Sequence, residues 1–172
     1  MTAPSSWLID NADLLPRGGR VLDVACGRGR NALWLAQSGC DVRAIDVNAE
    51  AIASLRDIAE RSSLRIQADV VDLETDPAPD LGTAAYDAVV VFNYLHRPLM
   101  PVLVNAVKPG GRIFYETFTT RQAERGHPRN PDFLLKDGEL PQLLAPLSIV
   151  RSREGEFDGR FIASAVAERA AE

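Results

Sequence analysis

VLDVACGRGRNA, residues 21 to 32, is an apolar run that passes straight into a glycine-rich turn and the start of a helix. Asp46 stands seventeen positions after Gly29, at the end of a second apolar run, DVRAID. A strand, a glycine turn, a helix and an acid on the next strand make a nucleotide-binding βαβ unit. Gly27 and Gly29 let the backbone approach a ligand closely, and the acid can accept hydrogen bonds from both hydroxyls of a ribose. The spacing Gly27-x-Gly29-x-x-Ala32 also fits the loose dinucleotide fingerprint. Asp23 discriminates. A dinucleotide turn lays its pyrophosphate over the helix N-terminus, and a carboxylate four residues before Gly27 would repel it. The same carboxylate suits a cationic ligand. S-adenosylmethionine has an ammonium, a sulfonium, a ribose and an adenine but no phosphate. Asp23 for its cationic end and Asp46 for its ribose match that molecule better than NAD.

Composition narrows the class. A chain of 172 residues is long enough for one three-layer core. A net charge of −5 argues against a broad nucleic-acid footprint, which needs clustered Lys and Arg. No apolar run approaches the roughly 20 residues that span a bilayer, and MTAPSSWLIDNADLL lacks the pattern of a signal peptide. The expected location is therefore the cytoplasm. Two cysteines make no disulfide framework, and with two histidines no metal-ligand spacing emerges.

The rest of the chain alternates strands and helices. Ser5 or Ser6 can cap a short helix bearing Trp7, Leu8, Leu14 and Leu15. Strands are expected at Arg20 to Val24, Val42 to Asp46, Leu64 to Ala68, Asp87 to Phe92 and Arg112 to Thr117. Helix A should run from near Arg28 to Gly39. The next helix places Ile52, Leu55, Ile58 and Ala59 on one face. Pro98 suits the first turn of a further helix through Val107, ended by Lys108-Pro109-Gly110-Gly111. A polar connection, Thr119 to Asp132, leads to a short helix near Gly138 to Leu144. Two last strands, Leu147 to Arg153 and Arg160 to Ala167, are joined by EGEFDG. The fold class is α/β, a single doubly wound, Rossmann-like domain over 1 to 172. Its sheet is mostly parallel and seven-stranded, with a C-terminal antiparallel hairpin. Residues 1 to 17 form a cover, 20 to 118 the cofactor-binding core, and 119 to 172 the acceptor side and hairpin.

VLDVACGRGRN resembles motif I of the class I S-adenosylmethionine-dependent methyltransferases, and Asp46 resembles their ribose-binding acid. YDAVVVFNYLHRPL is similar to their fourth strand and the loop after it, and VKPGGRIFYETF to the turn into their fifth. The stretch from Asn31 to Ala53, with LLKDGEL, resembles the tellurite-resistance branch. The resemblance implies methyl transfer to a small-molecule acceptor, an anionic one included, with S-adenosylhomocysteine as product. One departure stands out. Tellurite-type relatives carry a longer basic connection with a His-Arg pair between the last two strands. Here that connection is EGEFDGR, with Arg160 as its only basic residue.

Ligands of such sheets sit beyond the carboxyl ends of the strands. The cofactor candidates are thus Asp23, Ala25, Cys26, Gly27, Gly29, Arg30 and Asn31 around the first turn, with Asp46 and Val47 after strand two. Cys26 reads as a packing residue, since no basic partner adjoins it. After strand three, Asp69 and Asp72 compete for the adenine amino group, and the resemblance favours Asp72 with Leu73. After strand four, the resemblance puts the Asn93 carbonyl at the methionine ammonium and Tyr94 and His96 nearer the acceptor. Glu116 would be costly to bury in a strand without a function or a partner. Tyr94, His96 and Glu116 are the catalytic candidates, and Arg121, Arg125, His127 and Arg129 could grip an anion or form a solvated loop. The rivals are an NAD-dependent oxidoreductase and a non-catalytic S-adenosylmethionine-binding scaffold.

Overall fold

The computed structural model describes residues 2–172. Tyr86–Phe92 is nearly all apolar, so this strand needs cover on both faces. It is the fourth of seven strands: β1 (Arg20–Val24), β2 (Asp41–Asp46), β3 (Ile66–Val70), β4 (Tyr86–Phe92), β5 (Val107–Phe118), β6 (Ser148–Phe157) and β7 (Arg160–Glu168). They form one sheet in the order β3-β2-β1-β4-β5-β7-β6. The first five pair in parallel, and β7 lies antiparallel between β5 and β6. The α/β class and the mostly parallel sheet expected from the sequence are therefore observed.

Alternation along β4 divides the core. Val89 and Val91 join Leu22, Val24, Ile113 and Tyr115 on one face, closed by Leu103 of α4 (Met100–Ala106) and Leu140 of α5 (Glu139–Leu143). Ala88, Val90 and Phe92 join Val21, Val42 and Phe114 on the other. That second face is closed by α2 (Arg30–Gln37), by α3 (Ala49–Arg61) and by Trp7 and Leu8 of α1 (Ser6–Asp10). Trp7 Nε1 also donates to the Ala165 carbonyl at 3.3 Å, which seats the N-terminal helix on β7.

Some boundaries differ from expectation, each for a local reason. β3 begins two residues later, because Leu64, just past the end of α3, still turns back on the helix and donates to the Ala59 carbonyl at 2.9 Å. Helix A starts at Arg30 and ends at Gln37 rather than filling Arg28 to Gly39, since Gly27 and Gly29 hold the chain in the left-handed region. Val107 and Lys108-Pro109-Gly110-Gly111 belong to β5, with a register break against β4 between Tyr86 and Ala88. β6 runs on to Phe157, leaving only Asp158-Gly159 as the turn. Both have positive φ, 51° and 73°, the geometry that Asp-Gly favours in a two-residue hairpin.

Candidate functional site

The glycine turn and the acid of β2 form one locked unit. Gly29 caps α2 at φ +82°, and a Cβ there would stand 2.5 Å from Leu55 Cδ1. Only glycine fits between helix and turn. Gly27, at φ +55°, has the opposite surroundings: a Cβ would meet nothing within 4 Å. Its N–H donates to Asp46 Oδ2 at 2.8 Å, and the Asn48 N–H donates to Oδ1 at 2.8 Å. Asp46 is thereby oriented at the mouth of β2 before any ligand arrives.

Asp23 is only 2% exposed. Its Oδ2 has no hydrogen-bond partner among the described residues. Burial pushes its pKa up to about 7, against the Ala32 backbone hydrogen bond and the Arg30 charge, while Asp46 adds to the rise. A buried carboxylate oxygen without a partner is costly, and this residue borders an open cavity. It lines a cavity of about 280 Å³ with Ala25, Cys26, Gly27, Arg30, Asn31 and Asn93. Ala25 also borders a second cavity, of about 300 Å³, lined by Asp46, Val47, Asp72, Leu73, Glu74 and Tyr94. The two make a groove across the carboxyl ends of β1 and β2, with an orphan anion in one half and an oriented acid in the other. These groups fit a ligand with a cationic end and a ribose.

Most cofactor candidates from the sequence fall on this groove. Gly29 instead supports it from below, packed on Leu55. Cys26 lines the first cavity, but burial beside Asp23 and Asp46 pushes its thiol well up, so it stays an inert neutral group there. Asn31 has a second task. Its Oδ1 accepts the Ser5 N–H at 2.9 Å and ties the segment before α1 across the turn. Of the two competing acids, Asp72 lies in the groove with Leu73. Asp69 is a correction. The later start of β3 puts it inside the strand, where Arg43 Nε at 3.1 Å and Gln67 Nε2 at 2.9 Å hold it away from both cavities.

The catalytic candidates separate. Tyr94 stands between this groove and a third cavity, its hydroxyl donating to Glu74 Oε1 at 3.3 Å. Burial and Glu74 push its phenol well above the ordinary value, so it remains protonated. The buried Tyr115 hydroxyl, donating to the Tyr94 carbonyl at 2.7 Å, fixes this loop. Asn93 takes a left-handed φ of 57° and borders the first and third cavities. His96 borders none of the cavities described here and caps a short 3-10 turn, Arg97–Leu99.

Glu116 is the second correction. On β5 it alternates away from Tyr115, toward the Trp7 face, and accepts from Ser164 Oγ at 2.6 Å and Arg153 Nη2 at 3.2 Å. Arg160 adds a pair at 3.5 Å, and Arg153 lies over the rings of Trp7 and Phe157. The cluster pins the hairpin and the N-terminal helix together, with no access to the groove. Glu116→Gln is expected to lower the unfolding free energy by about 3 kcal/mol, since two partly buried arginines lose the buried carboxylate that pairs with them. S-adenosylhomocysteine affinity should stay within twofold. A denaturant melt and a titration check this, and weakened binding in an undiminished fold would return Glu116 to the site.

Sequence reading missed Glu74, Phe118, Pro128 and Phe133, which line the third cavity. Glu74 sits within the DLE stretch after β3, but nothing in the pattern sets it apart from the acids around it. The aromatic pair comes from separate segments that only the tertiary fold brings together.

The family model of tellurite resistance protein TehB matches residues 1–144. The chain is 31% identical over 144 residues to hemagglutinin 1 of Eikenella corrodens, covering 78% of this chain and 46% of that protein. It is 33% identical over 107 residues to the probable S-adenosyl-L-methionine-dependent methyltransferase TehB of Haemophilus influenzae, covering 60% of this chain and 36% of that one. The chain thus spans less than half the length of these two relatives. The crystal structure of TehB from Haemophilus influenzae superposes with a TM-score of 0.81 at 23% identity, covering 98% of this chain and 63% of that one. Fold, groove and the match over residues 1–144 agree, and the chain belongs to the TehB family, a branch of the class I S-adenosylmethionine-dependent methyltransferases.

Proposed function

We propose that this protein binds S-adenosylmethionine in the groove over β1 and β2 and transfers its methyl group to a small-molecule acceptor. The observation that carries the proposal is Asp23, a buried carboxylate whose Oδ2 has no partner among the described residues, lining a cavity that adjoins the one bordered by the oriented Asp46. Bound there, the cofactor supplies a methyl group already activated on a sulfonium. Asp23 receives the cationic amino acid end, Asp46 the ribose hydroxyls, and Asp72 with Leu73 and Val47 the adenine. Asn93 and Tyr94 wall the groove from the third cavity, where the acceptor enters. With an activated methyl donor, the chain's work is to orient the acceptor in line and exclude water.

That third cavity favours turnover over a scaffold role. It measures about 260 Å³ and adjoins the groove through Asn93, Tyr94 and Glu74 rather than being filled by side chains. A dinucleotide fits less well, because Asp23 lies where a pyrophosphate would meet an anion. No helix among the described residues is long and apolar enough to cross a membrane. Calorimetric titration with S-adenosylhomocysteine beside NAD tests the reading. Heat from the first alone, at micromolar affinity, is expected. Binding of NAD in its place would overturn it.

A further inference from the structure

Of the basic residues that the sequence offers for gripping an anion, Arg121 and Arg125 are engaged elsewhere, whereas His127 and Arg129 line only the outer rim of the third cavity. Arg121 lies over the Phe161 ring at 4.3 Å. Arg125 pairs with Glu156 at 2.7 Å. Arg97 forks onto Glu139 at 2.7 and 2.9 Å and onto the Asp132 and Leu134 carbonyls. Arg153 and Arg160 serve Glu116. What remains beside the cofactor groove is the cavity walled by Tyr94, Leu95, Phe118, Pro128 and Phe133, with no Lys, Arg or His in its lining. Its one charged wall is an acid, Glu74. Asp46 and Asp72 stand just across Tyr94 in the adjoining half of the groove. An inorganic oxyanion placed in that inner lining would face a carboxylate and apolar rings, with the basic side chains His127 and Arg129 standing only at the outer rim.

The lining has the opposite complement. Phe118 and Phe133 contribute aromatic side chains to it, and Phe133 is 48% exposed, which is costly for a large aromatic with nothing to cover it. The cavity continues outward along Phe118, Pro128 and Phe133 to a rim bearing His127, Arg129 and Asn130. Polar substituents can reach water at that rim while a ring lies inside. Such a lining, mostly apolar with a few polar groups from Glu74, Asn93, Tyr94 and Thr117, suits an organic ligand.

We propose that the acceptor is a neutral aromatic hydroxyl compound, its ring between Phe118 and Phe133 and its hydroxyl toward Glu74 and Tyr94. This rests on the S-adenosylmethionine reading above. In the transfer, the hydroxyl proton passes to the Glu74 carboxylate and an oxygen lone pair forms the bond to the methyl carbon. The sulfur–methyl bond breaks, its electron pair stays on sulfur, and neutral S-adenosylhomocysteine and an aryl methyl ether result. Tyr94, held protonated and donating to Glu74 Oε1, keeps that carboxylate in place.

The test uses the whole chain with phenol, catechol, sodium selenite and sodium tellurite as probes. Saturation-transfer NMR on protein loaded with S-adenosylhomocysteine should show phenol and catechol bound, and Phe133→Ala, at a half-exposed site, should cut the signal at least fivefold. Radiolabelled methyl transfer from S-adenosylmethionine to catechol should exceed transfer to either oxyanion. Glu74→Gln should slow it about 100-fold while ring binding persists. Ring signals equal in wild type and Phe133→Ala, or faster transfer to selenite or tellurite, would overturn the acceptor assignment with the cofactor reading intact. Failure of S-adenosylhomocysteine itself to bind would overturn both, and the loading step shows which has occurred.

Discussion

Asp23→Asn is expected to leave the unliganded protein at least as stable as wild type at pH 8 while weakening S-adenosylhomocysteine binding about 100-fold. The two effects have one origin. The Asp23 carboxylate is buried with no partner for Oδ2, so ionising it opposes folding, and only a cationic ligand removes the penalty. Its pKa is raised from 3.8 to about 7 in the folded state. The folded protein therefore holds a proton that the unfolded chain gives up, and this group's contribution is fully favourable below pH 3.8. It is lost as pH rises from there to about 7 and stays lost above. The penalty at neutral pH is on the order of 4 kcal/mol. The stability difference between wild type and Asp23→Asn, followed by thermal melts from pH 4 to 8, isolates this change from other carboxylates. Ligand binding must ionise Asp23, so wild-type affinity should fall as pH drops below 7, with proton release measurable in buffers of different ionisation enthalpy. A variant several degrees less stable at pH 8, or one that binds normally, would sink this account.

Asp23 shows what a sequence can carry. Its place before Gly27 separates a cationic ligand from a pyrophosphate on chemistry alone, and the glycine turn with Asp46 defines the unit. The parallel sheet was equally legible, because a nearly all-apolar β4 has few other places to go. Side-chain direction was harder. Glu116 lies next to Tyr115 in sequence, yet strand alternation sends Tyr115 to the Tyr94 loop and Glu116 to Ser164 and Arg153. A one-residue difference decides between site and scaffold. Asp69 turned on a two-residue shift of β3, set by how far α3 unwinds at Ser63 and Leu64. The left-handed residues Ala25 and Asn93, both on the groove, carry no glycine to announce them. The third cavity was least legible, because Phe118 and Phe133 come to line it together only through the packing of the loop between β5 and α5.

The second large effect belongs to Asp46. Asp46→Ala should weaken S-adenosylhomocysteine about 100-fold, since a carboxylate taking both ribose hydroxyls makes two charge-assisted bonds. Loss of binding alone would not identify the ribose, because Asp46 also holds the glycine turn through the Gly27 and Asn48 N–H groups. Collapse of that turn would weaken any ligand. A double-mutant cycle with an analogue lacking both ribose hydroxyls separates the causes. If Asp46 reads the ribose, wild type should discriminate against the analogue about 100-fold, and Asp46→Ala should bind both with similar weak affinity. If it acts only through the turn, the discrimination survives the substitution undiminished, and the ribose assignment fails. Asp69→Ala is the matched control: it removes an acid of the neighbouring strand that Arg43 and Gln67 hold off the groove. It should leave both affinities within twofold, which ties any loss in Asp46→Ala to the acid that faces the groove.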